Sequence, residues 1–207
     1  MKKKIVITGG LGYIGTELCK LYSGTSWHHQ IIVIDNRFIS ERVNQIRNWN
    51  MEFIQGDILD KDLVEKYCKD ADVIHHLAGV TDVPRTKNES SSLEDKRIKE
   101  VGEKGTQNIL DASSDKCKII FPSTHVVYEG IDIVKTDIKE NEDTKPILSY
   151  SSSKAINESQ LKKSGKNYVI LRLGSVYGYS TDSMRLDIMP NLFSKITSQN
   201  GTLKLFV

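Results

Sequence analysis

The sequence predicts an α/β protein built on a doubly wound parallel sheet, and three observations support this fold class. Short apolar runs alternate with segments of helical spacing through most of the 207 residues, as in sheets whose parallel strands are connected by helices. The first apolar run, Ile5–Ile7, leads directly into a glycine-rich turn, and the second, Ile31–Ile34, ends on Asp35. We therefore expect the strands to share one carboxyl edge, where ligands bind in such sheets.

The turn after the first strand has the spacing of a dinucleotide site. Gly9, Gly12 and Gly15 are each separated by two residues. In such turns the first glycine permits the tight bend, the second lets the backbone approach the phosphates, and the third lets the new helix pack on the strand. Free N–H groups at the start of that helix, at Tyr13 and Ile14, would face the pyrophosphate.

The carboxylate at the end of the second strand indicates which dinucleotide is bound. Asp35 lies about 20 residues beyond the glycines, where such folds hold the adenosine ribose hydroxyls. A carboxylate there would repel a 2′-phosphate, so Asp35 favours NAD over NADP. Arg37 could in principle hold that phosphate, although we expect its guanidinium to be solvated surface.

Composition and charge exclude several classes of protein. The apolar fraction of 38% in 207 residues suits one full domain, and the net charge of +2 comes from interspersed basic and acidic residues. We therefore expect no nucleic-acid partner. No apolar stretch is long enough to span a membrane, and too few apolar residues follow Lys2–Lys4 for a signal peptide. The expected location is the cytoplasm.

The cysteines predict packing residues and no metal centre. Cys19, Cys68 and Cys117 are far apart, and no Cys-x-x-Cys or His-x-x-x-His spacing is present. We expect all three to be reduced and no metal to be bound.

The remaining elements continue the alternation. Further strands are predicted at Met51–Gln55, Asp72–Leu77, Cys117–Phe121 and Asn167–Leu173. Helices are predicted along the stripe Ile14, Leu18 and Leu21, then at Asp62–Lys69, Leu93–Ser114, Tyr150–Lys163 and from Pro190 to about Gln199. Thr81–Asp95 is predicted to be a polar, mobile connection, and Gly105–Thr106 should let the long helix pack closely on the sheet, since glycine otherwise weakens a helix interior.

Residues just beyond the third and fourth strands are candidate cofactor contacts. The Asp57 carboxylate could accept a bond from the adenine amino group while Ile58 packs on the ring, or Asp57 could simply start the turn into the next helix. The predicted fourth strand ends at Leu77, a further candidate contact, and Ala78 and Gly79 follow it. Small residues there would let the strand end approach a flat ligand such as the nicotinamide ribose.

Tyr150 and Lys154 are the candidate catalytic pair. A free tyrosine titrates near pH ~10, which is too high for a base at neutral pH. Lys154, one turn along the same helix face, would supply a positive charge that lowers the pKa of the phenol. Tyr150 could then remove a proton from a substrate hydroxyl as hydride leaves for NAD, while Thr124 hydrogen-bonds the same oxygen. A surface helix is the alternative for this spacing.

Together these motifs resemble the extended short-chain dehydrogenase/reductase family, in particular its nucleotide-sugar epimerase and dehydratase branch. The matching pieces are Thr8–Gly15, Asp35–Asn36, Gly56–Ile58, His76–Ala78, Gly105–Thr106, Ser123–Thr124, Val127–Tyr128, Tyr150 with Lys154, Leu171–Arg172 and Val176–Gly178. The resemblance implies a Rossmann-type fold and a homodimer formed through the helix that begins at Tyr150. It also implies NAD and a nucleoside-diphosphate sugar, whose C4 hydroxyl is oxidised before hydride returns to the ketone from the opposite face or after a further step.

The resemblance also assigns roles to individual residues. Catalytic roles are implied for Thr124, Tyr150 and Lys154, the last also reaching the nicotinamide ribose. Contacts with the adenosine half of NAD are implied for Asp35, Asn36, Asp57 and Ile58, and contacts with the substrate for Thr81, Thr124 and Ser175.

The pattern after Thr124 distinguishes between branches of the family. Sugar 4,6-dehydratases usually carry an Asp-Glu pair there, whereas this chain has His125 and Val126, which favours epimerisation. A reductase would prefer NADP, against which Asp35 argues. The chain departs from the family at Gly102, where Asn is frequent, at Gly79, where Ala is usual, at Glu129, where Gly is usual, and at Ser175, where Asn is common.

The predicted organisation is an NAD-binding domain over residues 1–174 and the start of a substrate lobe over 175–207. Family members are considerably longer, and the apolar run Leu203–Val207 is a poor end for a domain because it leaves an unpaired edge. We therefore expect an incomplete lobe. The alternative function is a non-catalytic NAD-binding module.

Overall fold

The computed structural model describes residues 2–81, 91–181 and 183–204. Its strands are β1 Lys4–Thr8, β2 Gln30–Asp35, β3 Glu52–Gln55, β4 Val73–His76, β5 Lys118–Thr124 and β6 Asn167–Leu173. They pair in parallel in the order β3-β2-β1-β4-β5-β6. This order is that of the doubly wound dinucleotide-binding fold, and it places the switch point between β1 and β4. The predicted fold class is confirmed.

Helices connect the strands on both faces of the sheet. They are α1 Tyr13–Ser23, α2 Ser40–Asn48, α3 Lys61–Cys68, α4 Ser92–Lys99, α5 Gly105–Ala112, α6 Ser149–Lys163 and α7 Met189–Ser198. Most of the predicted connection Thr81–Asp95, and the last three residues of the predicted strand Leu203–Val207, lie outside the described residues. Within the described ranges, no helix combines the length and apolar character needed to cross a membrane.

The two faces of the sheet form two separate cores because successive side chains of a strand alternate between faces. Ile7 and Val33 pack with residues of α1 and α2, whereas Ile74 and Phe121 pack with residues of α3, α5 and α6. Strands covered on both faces are apolar at nearly every position, as the sequence runs indicated. All three cysteines are free and buried, which confirms them as packing residues.

Helix α1 is turned differently from what its apolar stripe suggested. Leu21 is 79% exposed and Ile14 37% exposed, whereas Gly15 and Cys19 face the sheet. A Cβ on Gly15 would lie 2.3 Å from the carbonyl oxygen of Gly9. The close contact of the glycine turn with the helix therefore fixes the rotation of α1, which leaves Ile14 and Leu21 at the surface while Leu18 packs against the core.

The long helix predicted over Leu93–Ser114 is present but changes its winding in the middle. A π-helical turn, Glu100–Lys104, joins α4 to α5. A Cβ on Gly105 would lie 2.3 Å from Ile58 Cδ1, and one on Gly102 would lie 2.2 Å from the Ser153 hydroxyl. The two glycines thus permit close packing on Ile58, in the connection that follows β3, and on α6. Close packing at Gly105 is therefore present, but the contact is with this connection and not with a strand.

Candidate active site

The glycine turn has the shape of a phosphate cradle. Gly9 has φ +71°, and a Cβ there would lie 2.7 Å from the backbone nitrogen of Ala78. The Gly9 N–H donates to Ile34 O at 2.7 Å and the Gly12 N–H to Gly9 O at 3.1 Å, so the turn is closed by its own backbone. Helix α1 begins at Tyr13 with Gly12 as its N-cap. Its first amides therefore lie beside the turn, as an anion site requires.

Asp35 ties this turn to the end of β2. Its buried carboxylate accepts one bond from the Leu11 N–H at 3.0 Å and two from Arg37, from the backbone N–H at 3.0 Å and from Nε at 3.2 Å. Arg37 is therefore not simply solvated surface, as expected from the sequence, because it pairs with Asp35 while about half of its side chain stays exposed. This pairing reduces the negative charge that Asp35 presents at the ribose end of the cradle.

Asn36 and Asp57 join the ends of β2 and β3. The Asn36 amide donates to Asp57 Oδ2 at 3.0 Å, and Asp57 Oδ1 accepts from the Leu59 N–H at 2.9 Å. Asp57 therefore does start the turn into the next helix, which was one of its two expected roles. Its carboxylate also binds Asn36, a candidate contact for the adenosine half of NAD. The expected packing of Ile58 on an adenine ring is wrong for its side chain, which is 4% exposed and packed against Gly105 in the core.

A buried histidine, which sequence reasoning did not assign to the site, organises the end of β4. His76 Nδ1 lies 3.0 Å from the Thr8 hydroxyl and Nε2 lies 3.0 Å from the Thr106 hydroxyl. Thr8 Oγ1 also accepts from the Ala78 N–H at 3.2 Å, which fixes the candidate cofactor residues that follow β4. Burial, aided by the Lys154 charge, lowers the pKa of His76 to about 3, so its ring is neutral. A histidine inside an apolar strand is the signal that could have identified it.

Leu77 and Gly79, which follow β4, differ from each other in their surroundings. Leu77 is held by a bond from its N–H to Thr8 O at 3.1 Å. A Cβ on Gly79 would meet nothing within 4 Å. The alanine that is usual in the family would therefore fit at this position, which does not require glycine for steric reasons.

The three candidate catalytic residues lie on β5 and α6. Thr124 ends β5 and is buried, and its hydroxyl accepts from the Val126 N–H at 3.3 Å. Tyr150 lies in the first turn of α6, and Lys154 lies one turn further on. Lys154 Nζ donates to Pro122 O at 2.9 Å and lies 5.9 Å from the centre of the Tyr150 ring and 4.4 Å from that of Phe121. The lysine is therefore bonded to the end of β5 and lies beside the Tyr150 ring without a bond to its hydroxyl.

The charge balance at Tyr150 differs from the expected one. Burial raises the pKa of Tyr150, and the charge that acts against this rise belongs to Arg185. Burial also lowers the pKa of Lys154, to about 8. The expectation that Lys154 lowers the pKa of the phenol is therefore wrong for this structure, because the ammonium is directed at Pro122 O and the Phe121 ring.

A buried ion pair, also missed from the sequence, fixes α6 against the strands. Glu158 accepts two bonds from Arg172 of β6, at 2.9 and 2.6 Å, and one from the Ser123 hydroxyl of β5 at 2.6 Å. Burial favours the neutral acid, but the bonds from Arg172 and Ser123 outweigh it and lower the pKa of Glu158. Because Glu158 lies one turn beyond Lys154, this ion pair anchors to the sheet the helix that carries the candidate residues Tyr150 and Lys154.

The predicted substrate residues lie at the surface. Thr81 and Ser175 are exposed and belong to no helix or strand. The cofactor turn is nevertheless linked to the segment after β6, since the Tyr13 hydroxyl donates to Gly178 O and the Gly178 N–H donates to Asn191 Oδ1 at 2.9 Å. Asn191, buried on α7, is a further residue that sequence reasoning missed. Among the described residues, no cluster of histidine, cysteine or carboxylate side chains has the makings of a metal site.

The sheet order, the glycine cradle and the tyrosine–lysine pair define a nucleotide-binding protein of the short-chain dehydrogenase/reductase type. The chain belongs to the NAD dependent epimerase/dehydratase family, whose family model matches residues 5–206.

Characterised relatives in this family act on nucleotide sugars, according to their names. The chain is 26% identical to UDP-glucose 4-epimerase of Lactobacillus helveticus, covering 98% of this chain and 63% of the relative. It is 29% identical to dTDP-D-glucose 4,6-dehydratase of Dictyostelium discoideum, covering 85% of this chain and 44% of the relative. It is also similar to the crystal structure of UDP-glucuronic acid 4-epimerase from Bacillus cereus in complex with NAD, with a TM-score of 0.77 and 25% identity, covering 98% of this chain and 66% of that one. The chain thus spans less than two thirds of the length of each.

Proposed function

We propose that this chain binds NAD and acts as an epimerase on a nucleoside-diphosphate sugar by transient oxidation at C4. The observation that carries the proposal is the presence, along one sheet edge, of a glycine cradle and of Tyr150 with Lys154 and Thr124. We assign residues 1–174 to the NAD-binding domain and 175–207 to the start of the substrate lobe. Relatives named as sugar-nucleotide 4-epimerases support the assignment of the reaction.

The residues present fit NAD. At Gly9 and Gly15 a Cβ would collide with backbone atoms of the chain itself, so these glycines let the turn pack closely on the end of β4 and on α1. The amides of Tyr13 and Ile14 would then bind the pyrophosphate oxygens. Asp35, held beside the cradle, suits ribose hydroxyls.

Other cofactor contacts follow from the strand ends. Asn36 and Asp57 flank the adenine end, with Ile58 contributing backbone only. Leu77, Ala78 and Gly79 would border the nicotinamide ribose, which Lys154 would also reach. When bound, NAD would supply the acceptor for the C4 hydride and would return that hydride to the opposite face of the ketone.

The proton chemistry falls to the chain's own side chains. Tyr150 accepts the proton of the C4 hydroxyl and returns it, while the Thr124 hydroxyl holds the same oxygen in its alcohol and ketone forms. Because burial raises the pKa of Tyr150 in the unliganded chain, the phenolate needs added positive charge. Arg185 supplies part of it, and the ammonium of Lys154 supplies more if it turns from Pro122 O toward the phenol oxygen. Thr81 and Ser175 are proposed to contact the substrate.

The surroundings of Thr124 support epimerisation over dehydration. The next residue, His125, places Nδ1 3.1 Å from Leu173 O, and Val126 is apolar. The Asp-Glu pair that the resemblance associates with elimination of water is therefore replaced by a histidine engaged with β6 and by a valine.

Incubation with NAD and UDP-sugars, followed by NMR detection of 4-epimer exchange, tests the proposed reaction. We expect exchange with the wild type and a loss of about 10²-fold or more in Tyr150→Phe, because general-base catalysis contributes 10²–10⁴-fold. NAD affinity, measured by calorimetry, should change little in this variant. Turnover that persists in Tyr150→Phe would remove the proposed base.

A second candidate is a non-catalytic NAD-binding module, which the bond of Lys154 Nζ to Pro122 O rather than to the phenol of Tyr150 favours. NAD binding without exchange on UDP-sugars would support this module and contradict the epimerase. Absence of NAD binding would contradict both.

A homodimer through α6 and a location in the cytoplasm stay predictions. On α6, Asn157 donates to Gly102 O at 3.1 Å, Gln160 donates to Glu103 O at 3.1 Å, and Glu158 pairs with Arg172. These polar side chains are therefore used within the chain, and a dimer interface would have to use another face of the helix. Size-exclusion chromatography with light scattering measures the oligomeric state.

A further inference from the structure

Glu129 makes an unusual set of contacts with the start of the helix that carries Tyr150. It follows directly on the 3-10 turn His125–Tyr128. One oxygen, Oε1, accepts from the Ile147 N–H and the Leu148 N–H, both at 2.7 Å, and from the Ser151 hydroxyl in a shorter contact. The sequence offered no role for this residue, which appeared only as a departure from the glycine usual in the family.

The three donors surround the first turn of α6. Leu148 is the N-cap of the helix, and Ser151 is fully buried in its first turn. Ser151 Oγ also accepts from the Leu148 N–H at 3.2 Å, so the cap and the helix are held together at the same point. Along the chain, Tyr150 lies between Leu148 and Ser151, two of the three residues that Glu129 binds.

The same segment is tied down by its backbone. The Lys145 N–H donates to Val127 O and the Gly130 N–H donates to Lys145 O, both at 2.8 Å. These bonds align residues 127–130 with the chain that leads into α6. Glu129 extends this pairing by one side chain and connects it to the helix itself.

Glu129 is ionised in this environment. Its partial burial would favour the neutral acid, but the bonds from Ser151, Leu148 and Ile147 outweigh burial and lower the pKa of Glu129. A carboxylate at a helix N-terminus is stabilised by the unpaired amides and by the helix dipole. The contact is therefore a strong, charge-assisted one.

We propose that Glu129 is a positioning residue for the epimerase reaction, which holds the Tyr150 turn at a fixed distance from Thr124; this inference rests on the proposed function. The 3-10 turn that begins at the Thr124 N-cap ends next to Glu129. Glu129 thus connects the two catalytic side chains. The 3-10 turn joins Glu129 to Thr124, and three hydrogen bonds join Glu129 to the helix start that carries Tyr150. It touches neither substrate nor cofactor in this assignment.

The test compares Glu129→Ala and Glu129→Gln with Glu142→Ala. Glutamine keeps an oxygen that can accept the same bonds, while alanine removes them. Glu142 is a matched carboxylate in the same connection, paired with Lys135 at 2.6 Å near the surface. The measurements are kcat and KM for 4-epimer exchange, the calorimetric affinity for NAD, and hydrogen–deuterium exchange of the amides at 147–151.

We expect kcat to fall about tenfold to a hundredfold in Glu129→Ala, since small misplacements of reacting groups have effects of this size. KM and NAD affinity should stay within about twofold, and the amides at 147–151 should exchange faster while those of the cofactor turn do not. Glu129→Gln should recover most of kcat, and Glu142→Ala should match the wild type. A general loss of structure would instead weaken NAD binding as well.

Unchanged kcat in Glu129→Ala, or unchanged exchange at 147–151, would overturn the proposal. If Glu129→Ala does not fold, Ser151→Ala replaces it, because this variant removes one of the three donors to Glu129. Ser151→Ala should lower kcat by a smaller factor and leave NAD affinity intact. An unchanged kcat in Ser151→Ala would also overturn the proposal. If the wild type itself shows no epimer exchange, the proposed function fails, whereas the hydrogen exchange at 147–151 still decides whether Glu129 holds this turn.

Discussion

The glycine turn and the Tyr150 helix lie at the same edge of the sheet but are positioned by opposite means. The turn depends on absent side chains, because Gly9 and Gly15 leave no room for a Cβ. The Tyr150 helix depends on buried polar groups, with Glu158 bonded to Arg172 and Ser123, and Glu129 bonded to the helix start. The first region is therefore defined by steric fit and the second by charge. The two regions should respond differently to small substitutions and to pH.

The largest effect should come from adding one methyl group to the turn. Gly9→Ala forces an L residue to φ +71° with its Cβ 2.7 Å from Ala78 N, and we expect a loss of about 4 kcal/mol in the free energy of unfolding from strain and overpacking together. Urea denaturation measures it, and the cost should be the same at pH 8 and at pH 6.

Gly24→Ala is the control, because Gly24, the C-cap of α1, already has backbone angles that an alanine adopts and a Cβ there meets nothing within 4 Å. Stability should rise by about 0.5 kcal/mol. A similar loss at both glycines would contradict the steric account of the turn.

A slightly smaller effect is expected on removing one partner of the buried ion pair. Arg172→Met leaves the Glu158 carboxylate buried without its guanidinium, which should lower the free energy of unfolding by about 3 kcal/mol. Lys104→Met, which removes an exposed pair with Glu100, should change it by less than about 0.5 kcal/mol. Equal effects of the two substitutions, in the same denaturation assay, would show that burial of the pair is unimportant.

The pH dependence of Arg172→Met sharpens this comparison. The folded-state pKa of Glu158 is lowered, so its stabilising contribution is full above the unfolded value of about 4.3 and is lost as the pH falls through the folded one. The free energy of unfolding of the wild type should therefore fall in acid. It should fall less in Arg172→Met, because this variant already lacks the ion pair that stabilises the Glu158 carboxylate.

The smallest effect should come from the histidine at the end of β4. The pKa of His76 falls from about 6.5 unfolded to about 3 folded, so the unfolded chain binds more protons between these values and stability must decline as the pH drops through that window. His76→Gln should flatten the decline between pH 6.5 and 5, measured by denaturation at each pH. His75, whose pKa burial also lowers, keeps its own contribution in both proteins, and an unchanged slope would contradict the burial of a neutral His76.

Much of the fold could be predicted from the sequence because its signals are local. The apolar runs gave the strands to within a few residues at either end, and the glycine spacing gave the turn with its helix. The rotation of α1 could not be predicted, since the helix follows the contact of Gly15 with the turn and leaves Leu21 exposed. The π-helical turn was also missed, because it depends on the approach of Ser153 to Gly102.

The sequence predicted which residues belong to the candidate site, but it did not predict which partners those residues bind. Asp35, Tyr150 and Lys154 could be named from spacing, but the partners of each come from distant segments. Lys154 binds Pro122 O, and Asp35 binds Leu11 and Arg37. The pKa of Tyr150 therefore had the wrong predicted direction, because burial and the reach of an ammonium are properties of the folded surroundings.

The sequence by itself determined the sheet class, the position of the glycine cradle and the identity of the tyrosine, lysine and threonine, since each is written in residues close together along the chain. Only the tertiary structure decided which polar groups meet: Glu158 with Arg172, His76 with Thr8 and Thr106, and Glu129 with the start of α6. The physical reason is that a hydrogen bond or an ion pair depends on distances of a few ångströms, and the folded backbone sets those distances between segments that the sequence keeps apart.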